Sequence, residues 1–344
     1  KQGFDHFFEQ NEIPAEQVFE KVRDWRHDIA KKPYFLYVHL MDPHYPYGQV
    51  SPYFERYRPT AGDDDKARYL SELRHTDDWI KRFYQYLRLD QNTLLVFLSD
   101  HGEEFGDHGS TQHGPTLYEE LVHVLMMVHG PGFGVTGRRV AANVSQVDIL
   151  PTLTEFAQIP TPAGAQGLSL WPLLRGVESG DEAHWAERTL LGHRLTSSPP
   201  YNENWSAIRG PWKYIEHYGR EPELYDHRAD PAEKANVAAV HADVAQHLSQ
   251  AVAAAKALPR GGAARPRPLR RESAESGTGQ TAAPRRRRAI AGRTHAGHRH
   301  GRPYRALPLV RSFGARRLCL AVDLLRSAGT GGPVRPDRGF SRRP

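Results

Sequence analysis

Cysteine occurs once in 344 residues, as Cys319, so no disulfide framework holds this chain together. Long apolar runs are missing too. None approaches the ~20 residues that a bilayer-spanning helix requires, and mean hydropathy is −0.65, so no membrane span is expected. There is no Gly-x-Ser-x-Gly elbow and no P-loop lysine signature, which removes an elbow-type serine nucleophile and a Walker-type phosphate cradle. No charged-then-apolar leader follows Lys1, which leaves the compartment unreadable. No zinc-ligand spacing, RNP-like pattern or helix-turn-helix pattern supports a dedicated nucleic-acid module.

Charge is unevenly divided along the chain. Residues 259–344 hold 21 Arg, no Lys and four acids (Glu272, Glu275, Asp323, Asp337), net +17, whereas residues 1–258 hold 25 basic and 36 acidic residues, net −11. The overall charge of +6 thus joins an acidic body to a basic tail. Pro, Gly, Arg and Ala dominate the tail, and such a composition buries too little apolar surface to offset chain entropy. The tail is expected to be disordered. Arginine without lysine among Pro, Gly and Ala is also what an out-of-frame reading of GC-rich DNA yields. The functional alternative is contact of the arginine run at 285–288 with nucleic acid or another anionic surface.

Within the body, helical and apolar stretches alternate. Residues 13–30 place Val18, Val22, Trp25 and Ile29 on one helical face. Residues 34–40 (YFLYVHL) and 93–98 (TLLVFL) read as buried strands. Between them, residues 66–89 predict a strong helix with Tyr69, Leu73, Ile80, Phe83 and Leu87 at its apolar positions. Residues 117–121 read as a short helix and 124–128 as a third buried strand, and Asp148 with Pro151 opens another helix. From about Glu187 the texture changes to short strands at 188–192, 205–208 and 212–215, followed by a helix ending near Leu258. The pattern predicts an α/β fold: a mostly parallel sheet sandwiched by helices over residues 1–186, a smaller C-terminal α+β subdomain over 187–258, and the disordered tail over 259–344.

In open α/β sheets, ligands bind beyond the carboxyl ends of the strands. The first strand delivers Asp42 and His44, the second delivers Asp100, His101 and Glu103, and the next loop adds Asp107, His108 and His113 among glycines. Carboxylate and imidazole beside the tight Gly102 suit a hard or borderline divalent cation. From spacing alone, Asp100-His101 also reads as a turn with a helix cap, and His44 as a surface residue between two prolines. His39 reads as a satisfied core histidine, and His123 and His129 as structural.

Nine stretches, in order, resemble the sulfatases of the alkaline-phosphatase superfamily: GFDHFFE (3–9), KPYFLYVHLMDPHYPYG (32–48), YLSELRHTDDWI (69–80), NTLLVFLSDHGEEFGDHG (92–109), HGPTLYEE (113–120), SQVDILPTL (145–153), GLSLWPLLRG (167–176), AIRGPWKYI (207–215) and ELYDHRADPAEKANV (223–237). The resemblance spans roughly residues 1–258. It implies an alkaline-phosphatase-like fold and metal-dependent hydrolysis of a sulfate monoester on a small molecule or glycan. Asp100 and His101 would be metal ligands. His44 would contact the ester group, and His113 would be a further catalytic and substrate-binding cation or acid near the leaving group. A metal and imidazolium groups stabilise charge on the nonbridging oxygens as the ester bond breaks, and a histidine near the leaving oxygen can donate a proton. Glu103 and His108 would support these ligands from behind. Calcium is the metal implied first, with manganese or zinc left open by imidazole ligation.

The departures from the family are as specific as the matches. The family's nucleophile motif, Cys-x-Pro-x-Arg or its Ser form, is absent from residues 1–258, and Cys319, followed by Leu-Ala-Val-Asp, is no candidate. The Asp pair that completes the family's metal site is also absent, since Asp63-Asp64-Asp65 reads as a helix start. The chain is therefore expected to be a sulfatase fragment, inactive by itself and lacking the central first strand of its sheet. Two alternatives stand beside this reading. One is a phosphodiesterase, phosphonate hydrolase or phosphoglycerol transferase of the same superfamily, some of which also carry His after the Asp. The other is a non-catalytic anion- or nucleic-acid-binding protein acting through its tail.

Overall fold

The computed structural model describes residues 4–10, 13–31, 33–114, 116–130, 137–176, 182–195, 202–258 and 317–321. Helix α1 (Ala15–Asp24) buries Ala15, Phe19 and Val22. The helix expected over 13–30 breaks at Trp25, whose N–H bonds to Val22 O at 3.1 Å, and resumes as α2 (Arg26–Ile29). Strand β1 (Phe35–Val38) buries Leu36 and Val38 but exposes Tyr37. The run expected to be buried on both sides is thus buried on one, because β1 is an edge of its sheet. His39 is likewise exposed rather than a core histidine, with Nδ1 3.3 Å from the Tyr37 hydroxyl.

Helix α3 (Tyr53–Ala61) leads into α4 (Asp64–Leu87), which starts where Asp63 accepts the Lys66 N–H at 2.7 Å. Strand β2 (Thr93–Leu98) is followed by a small hairpin, β3 (Glu104–Phe105) and β4 (Thr111–Gln112), and by α5 (Glu119–Val122). Strand β5 (Met126–His129) pairs antiparallel with β2 at the other edge of the sheet. Met127 on it is 52% exposed, so the third buried strand expected here is a half-exposed edge strand. A 3-10 turn (Gln146–Asp148) opens α6 (Ile149–Ala157), and α7 (Trp171–Arg175) and α8 (Glu182–Glu187) follow. The second sheet runs β6 (Leu190–Leu195), β7 (Glu203–Arg209), β8 (Trp212–Glu216) and β9 (Glu223–Asp226), antiparallel throughout, and is covered by α9 (Ala242–Ala257).

One strand, β10 (Arg317–Ala321), comes from the tail. It lies between β1 and β2, parallel to both, with Cys319 opposite Leu36 on one side and Leu95 on the other. The expectation of disorder over 259–344 is corrected at these five residues. The position between β1 and β2 offers unpaired backbone donors and acceptors on two sides, which favours any apolar segment able to pair them, and RLCLA is such a segment. The remainder of the tail, including the arginine run at 285–288 and His295, His298 and His300, lies outside the described residues.

Period-two alternation sorts the side chains of the first sheet. Leu36, Val38 and Phe97 pack with Phe19 and Val22 of α1 and Phe83 of α4, where the Phe19 and Phe83 rings stack at 4.6 Å. Leu94 and Val96 point the other way, onto Leu153 and Phe156 of α6 and Trp171 of α7. In the second sheet, Trp205, Ala207, Tyr214 and Leu224 meet Leu248 and Val252 of α9. Its opposite face turns Ile215 and Tyr225 onto Leu117 and Tyr118, so the second sheet packs directly on the α5 region. Among the described residues, no helix is long and apolar enough to cross a membrane.

Candidate active site

Strands β1 and β2 run in the same direction, both parallel to β10, so their C-terminal ends lie at one edge of the sheet. The loops leaving that edge bring three of the predicted residues together. The His113 ring lies 4.7 Å from that of His101 and 5.1 Å from that of His44.

Asp100 and His101 sit on a loop pinned from three sides. Ser99 exchanges hydrogen bonds with the Leu125 backbone, Gly102 N–H donates to Leu121 O at 2.8 Å, and the Gln146 amide donates to the carbonyls of Ser99 and Asp100, each at 2.8 Å. His101 Nδ1–H donates to Gly102 O at 2.8 Å. That fixes the tautomer and leaves the Nε2 lone pair, which is 3.4 Å from Asp100 Oδ2. An imidazole nitrogen and a carboxylate oxygen at this separation are donors of the right kind for adjacent positions around one divalent ion. The residues present therefore fit a metal as two of its ligands.

His113 is carried on a loop that is equally constrained. Buried Glu104 accepts from the Thr116 hydroxyl at 2.7 Å and from Gly114 N–H at 3.2 Å. A Cβ at Gly114 would lie 2.8 Å from that carboxylate, so glycine is required there. His113 Nδ1–H donates to Oε1 of fully buried Glu103 at 3.3 Å. The hydrogen bond and charge of Glu103 lift His113 above the usual imidazole range, against burial and the nearby positive charge of Arg194.

The loop carrying His44 is held by α4. Val50 N–H donates to the Ser71 hydroxyl at 3.2 Å, and a Cβ at Gly48 would lie 2.7 Å from Glu72 Oε1. The Tyr47 ring packs edge-on against Tyr69 at 5.6 Å and tilted against Phe105 at 6.0 Å, which ties this loop to the one carrying Glu103. Burial and the charge of Glu103 push the Tyr47 hydroxyl up. His44 Nδ1–H donates to Tyr45 O at 2.7 Å, leaving Nε2 available.

His108, expected to support the metal ligands, is elsewhere. It lies at the seam with the second sheet, its ring stacked on Tyr118 at 3.8 Å, with Nδ1 2.6 Å from Glu120 Oε1 and Nε2 3.0 Å from Glu233 O. Among the described residues, the groups whose ligand atoms converge closely enough for a three-ligand metal site are His108–Glu120–Glu233 and Glu119–His227–Glu233, both in this seam. The Lys213 ammonium already sits there, 2.8 Å from Glu233 and 3.5 Å from Glu119. It supplies the positive charge that a metal would bring. His123, expected to be structural, pairs with Glu119 at 2.9 Å while largely exposed.

Sequence reasoning did not find Gln146 or Arg194, and it left the role of Glu103 open. Glu103 had a usable signal as the first acid after Gly102. Gln146 and Arg194 had none, because both lie on elements distant in sequence from the loops they act on.

The sulfatase family profile matches residues 2–159, and that of the N-sulphoglucosamine sulphohydrolase C-terminal region matches residues 106–257. Rat (Rattus norvegicus) arylsulfatase K is 31% identical over 173 residues, covering 48% of this chain and 30% of the relative. The Delta 4,5-hexuronate-2-O-sulfatase of Bacteroides thetaiotaomicron is 30% identical over 194 residues, covering 51% and 38%. The chain thus spans about a third of the length of these curated relatives. Among solved structures, the phosphonate monoester hydrolase of Silicibacter pomeroyi aligns with a TM-score of 0.57 at 20% identity over 70% of this chain and 58% of its own. A Bacteroides thetaiotaomicron protein of glycosaminoglycan metabolism aligns at 0.52 and 24% over 70% and 54%. These likenesses concern the fold, a mixed α/β architecture of the sulfatase and alkaline-phosphatase kind. The matches over residues 2–257 support the sulfatase family, sulfuric ester hydrolases whose members generally bind a divalent metal.

Proposed function

We propose that this chain supplies the metal-binding and histidine side of an active site that hydrolyses sulfate monoesters. The observation that carries this reading is the convergence of His44, His101 and His113 at one sheet edge, with His101 Nε2 and Asp100 Oδ2 turned toward each other. Asp100 and His101 would hold a divalent metal, calcium first and manganese or zinc next. When bound, the metal stabilises negative charge on the ester oxygens. His113, whose protonated form the hydrogen bond and charge of Glu103 favour, carries a proton toward the leaving oxygen, and His44 offers Nε2 to the sulfuryl group. Both histidines are therefore substrate-binding and catalytic in this reading.

Residues 1–258 contain no Cys-x-Pro-x-Arg or Ser-x-Pro-x-Arg motif. We read the chain as part of a larger sulfatase that does not turn over substrate by itself. Sequencing the gene upstream of Lys1 tests this: either motif in frame there completes the enzyme, and a stop codon directly upstream removes the reading. The metal assignment is tested by calorimetric titration of the chain with calcium. Asp100→Ala should abolish binding, and undiminished binding takes Asp100 out of the site. Phosphonate or phosphodiester hydrolysis is the second reading, favoured by His following Asp100. Tighter binding of 4-nitrophenyl phenylphosphonate than of 4-nitrophenyl sulfate would make it the first.

A further inference from the structure

Gln146 reaches the loop of Asp100 from a turn 46 positions further along the chain. Its Nε2 carries two hydrogens, and both are used, one on Ser99 O and one on Asp100 O, each at 2.8 Å. Those carbonyls belong to the two peptide groups that flank the Asp100 Cα. Each peptide group is a rigid plane, so one side chain holds both planes and with them the backbone dihedrals that aim the Asp100 carboxylate. The carboxylate itself is oriented by the His101 N–H, which donates to Oδ1 at 2.8 Å. That leaves Oδ2 as the oxygen 3.4 Å from His101 Nε2.

The turn that carries Gln146 is fixed in its own right. Fully buried Asp148 accepts the N–H groups of Ser145 and Leu168 at 2.8 Å and both terminal guanidinium nitrogens of Arg188 at 2.7 Å. Two donors on each oxygen fill the acceptor positions of this carboxylate, and the guanidinium does so as a planar fork. From the other side Gly167 closes on the turn, where a Cβ would lie 2.0 Å from Val147 O. Arg188 stands between α8 and β6, at the entry to the second sheet. Gln146 by contrast is exposed, so replacing it removes two hydrogen bonds without opening the core. We propose that Gln146 is a positioning residue of the candidate metal site, and that the Arg188–Asp148 pair is the anchor from which it sets the direction of Asp100. This rests on the metal reading of Asp100 and His101. It goes beyond that reading by making metal affinity depend on a residue outside the ligand loop and on an ion pair beside the second sheet.

The test titrates calcium into the 344-residue chain by calorimetry, with the thermal midpoint of each metal-free variant recorded alongside. Gln146→Met keeps the length of the side chain and removes both donors. It should weaken calcium binding about tenfold, the net worth of two hydrogen bonds, while the midpoint stays within about 2 °C. Arg188→Lys keeps the charge at Asp148 but not the fork. It should weaken calcium binding about threefold by itself and add less than about twofold on top of Gln146→Met, because it acts through Gln146. Its midpoint should fall equally in both backgrounds. A purely structural role gives the reverse pattern, a lower midpoint with unchanged calcium affinity. Calcium affinity that survives Gln146→Met overturns the proposal, and fully additive losses overturn the part given to Arg188. An unaltered chain that takes up neither calcium nor, in parallel titrations, manganese or zinc overturns the metal reading and the positioning role with it, an outcome seen before any variant is made.

Discussion

Two sets of buried and half-buried carboxylates in this molecule behave in opposite ways. Under the loop that carries His44, Asp42 and Glu72 meet chiefly backbone N–H groups, those of Ala15 and Gly48. Burial, reinforced for Glu72 by the charge of Asp42, raises both, and it pushes Glu72 up to about 7. At the seam with the second sheet, burial again pushes Glu119 up, but hydrogen bonding to His123 and the charges of Lys213 and His227 outweigh it and bring Glu119 down to about 2. Glu233 and Glu223 are lowered in the same way, against burial, by His227 with Lys213 and by His217 with Tyr118 respectively. Burial alone does not decide the charge of an acid here. The cation across from it does.

The comparison is broken most directly at Lys213, which has no exposed surface. Lys213→Met leaves Glu233 and Glu119 buried without their ammonium and should destabilise the chain by about 3–5 kcal/mol in urea unfolding. A loss below about 1 kcal/mol would mean that apolar packing of Ile215 and Tyr225 on Leu117 carries the seam instead. Next comes acid. Glu119, Glu223 and Glu233 have folded values below the unfolded ~4.3, so their stabilisation is present above that pH and lost as pH falls through the folded values, about 2 for Glu119. Thermal midpoints measured from pH 5 to 2 should fall, and Lys213→Met should flatten that fall.

Glu72 has the opposite sign. Its folded value lies above the unfolded one, so its contribution to stability declines as pH rises from ~4.3 through about 7. Glu72→Gln should remove that decline from the thermal midpoint, and an unchanged slope would mean that Glu72 ionises freely. The smallest effect is expected at His123, whose side chain is 72% exposed beside Glu119. His123→Ala should cost at most about 1 kcal/mol, which would leave Lys213 and His227 as the cations that matter.

Much of the first sheet was legible because its signals are local. Residues 93–98 were readable as a strand from a continuous apolar run, and β2 occupies them. The acids at 63–65 marked the start of α4. Local reading failed where the deciding partner is remote. Residues 34–40 looked buried on both sides because apolarity does not reveal an edge. Strand β10 was hidden by averaging: RLCLA is apolar, but the surrounding Arg, Pro and Gly dominated the reading of the tail. For the site, Asp100, His101, His44 and His113 could be named from residue type beside strand ends, whereas His108 looked like one more of the set until its partners, Glu120 and Glu233, took it to the seam.

By itself, the sequence determined the kinds of element, the loops that carry the reactive side chains, and the likeness to the sulfatases, because periodicity and short ordered motifs are written within a few residues of one another. Only the tertiary structure decided which histidines meet, that Glu103 lies behind His113, and that Lys213 neutralises the seam. The histidine cluster depends on how loops 10 to 69 positions apart fold onto one another, and the seam on how two sheets pack residues 94 positions apart. Distance and burial set both, and no local pattern encodes either quantity.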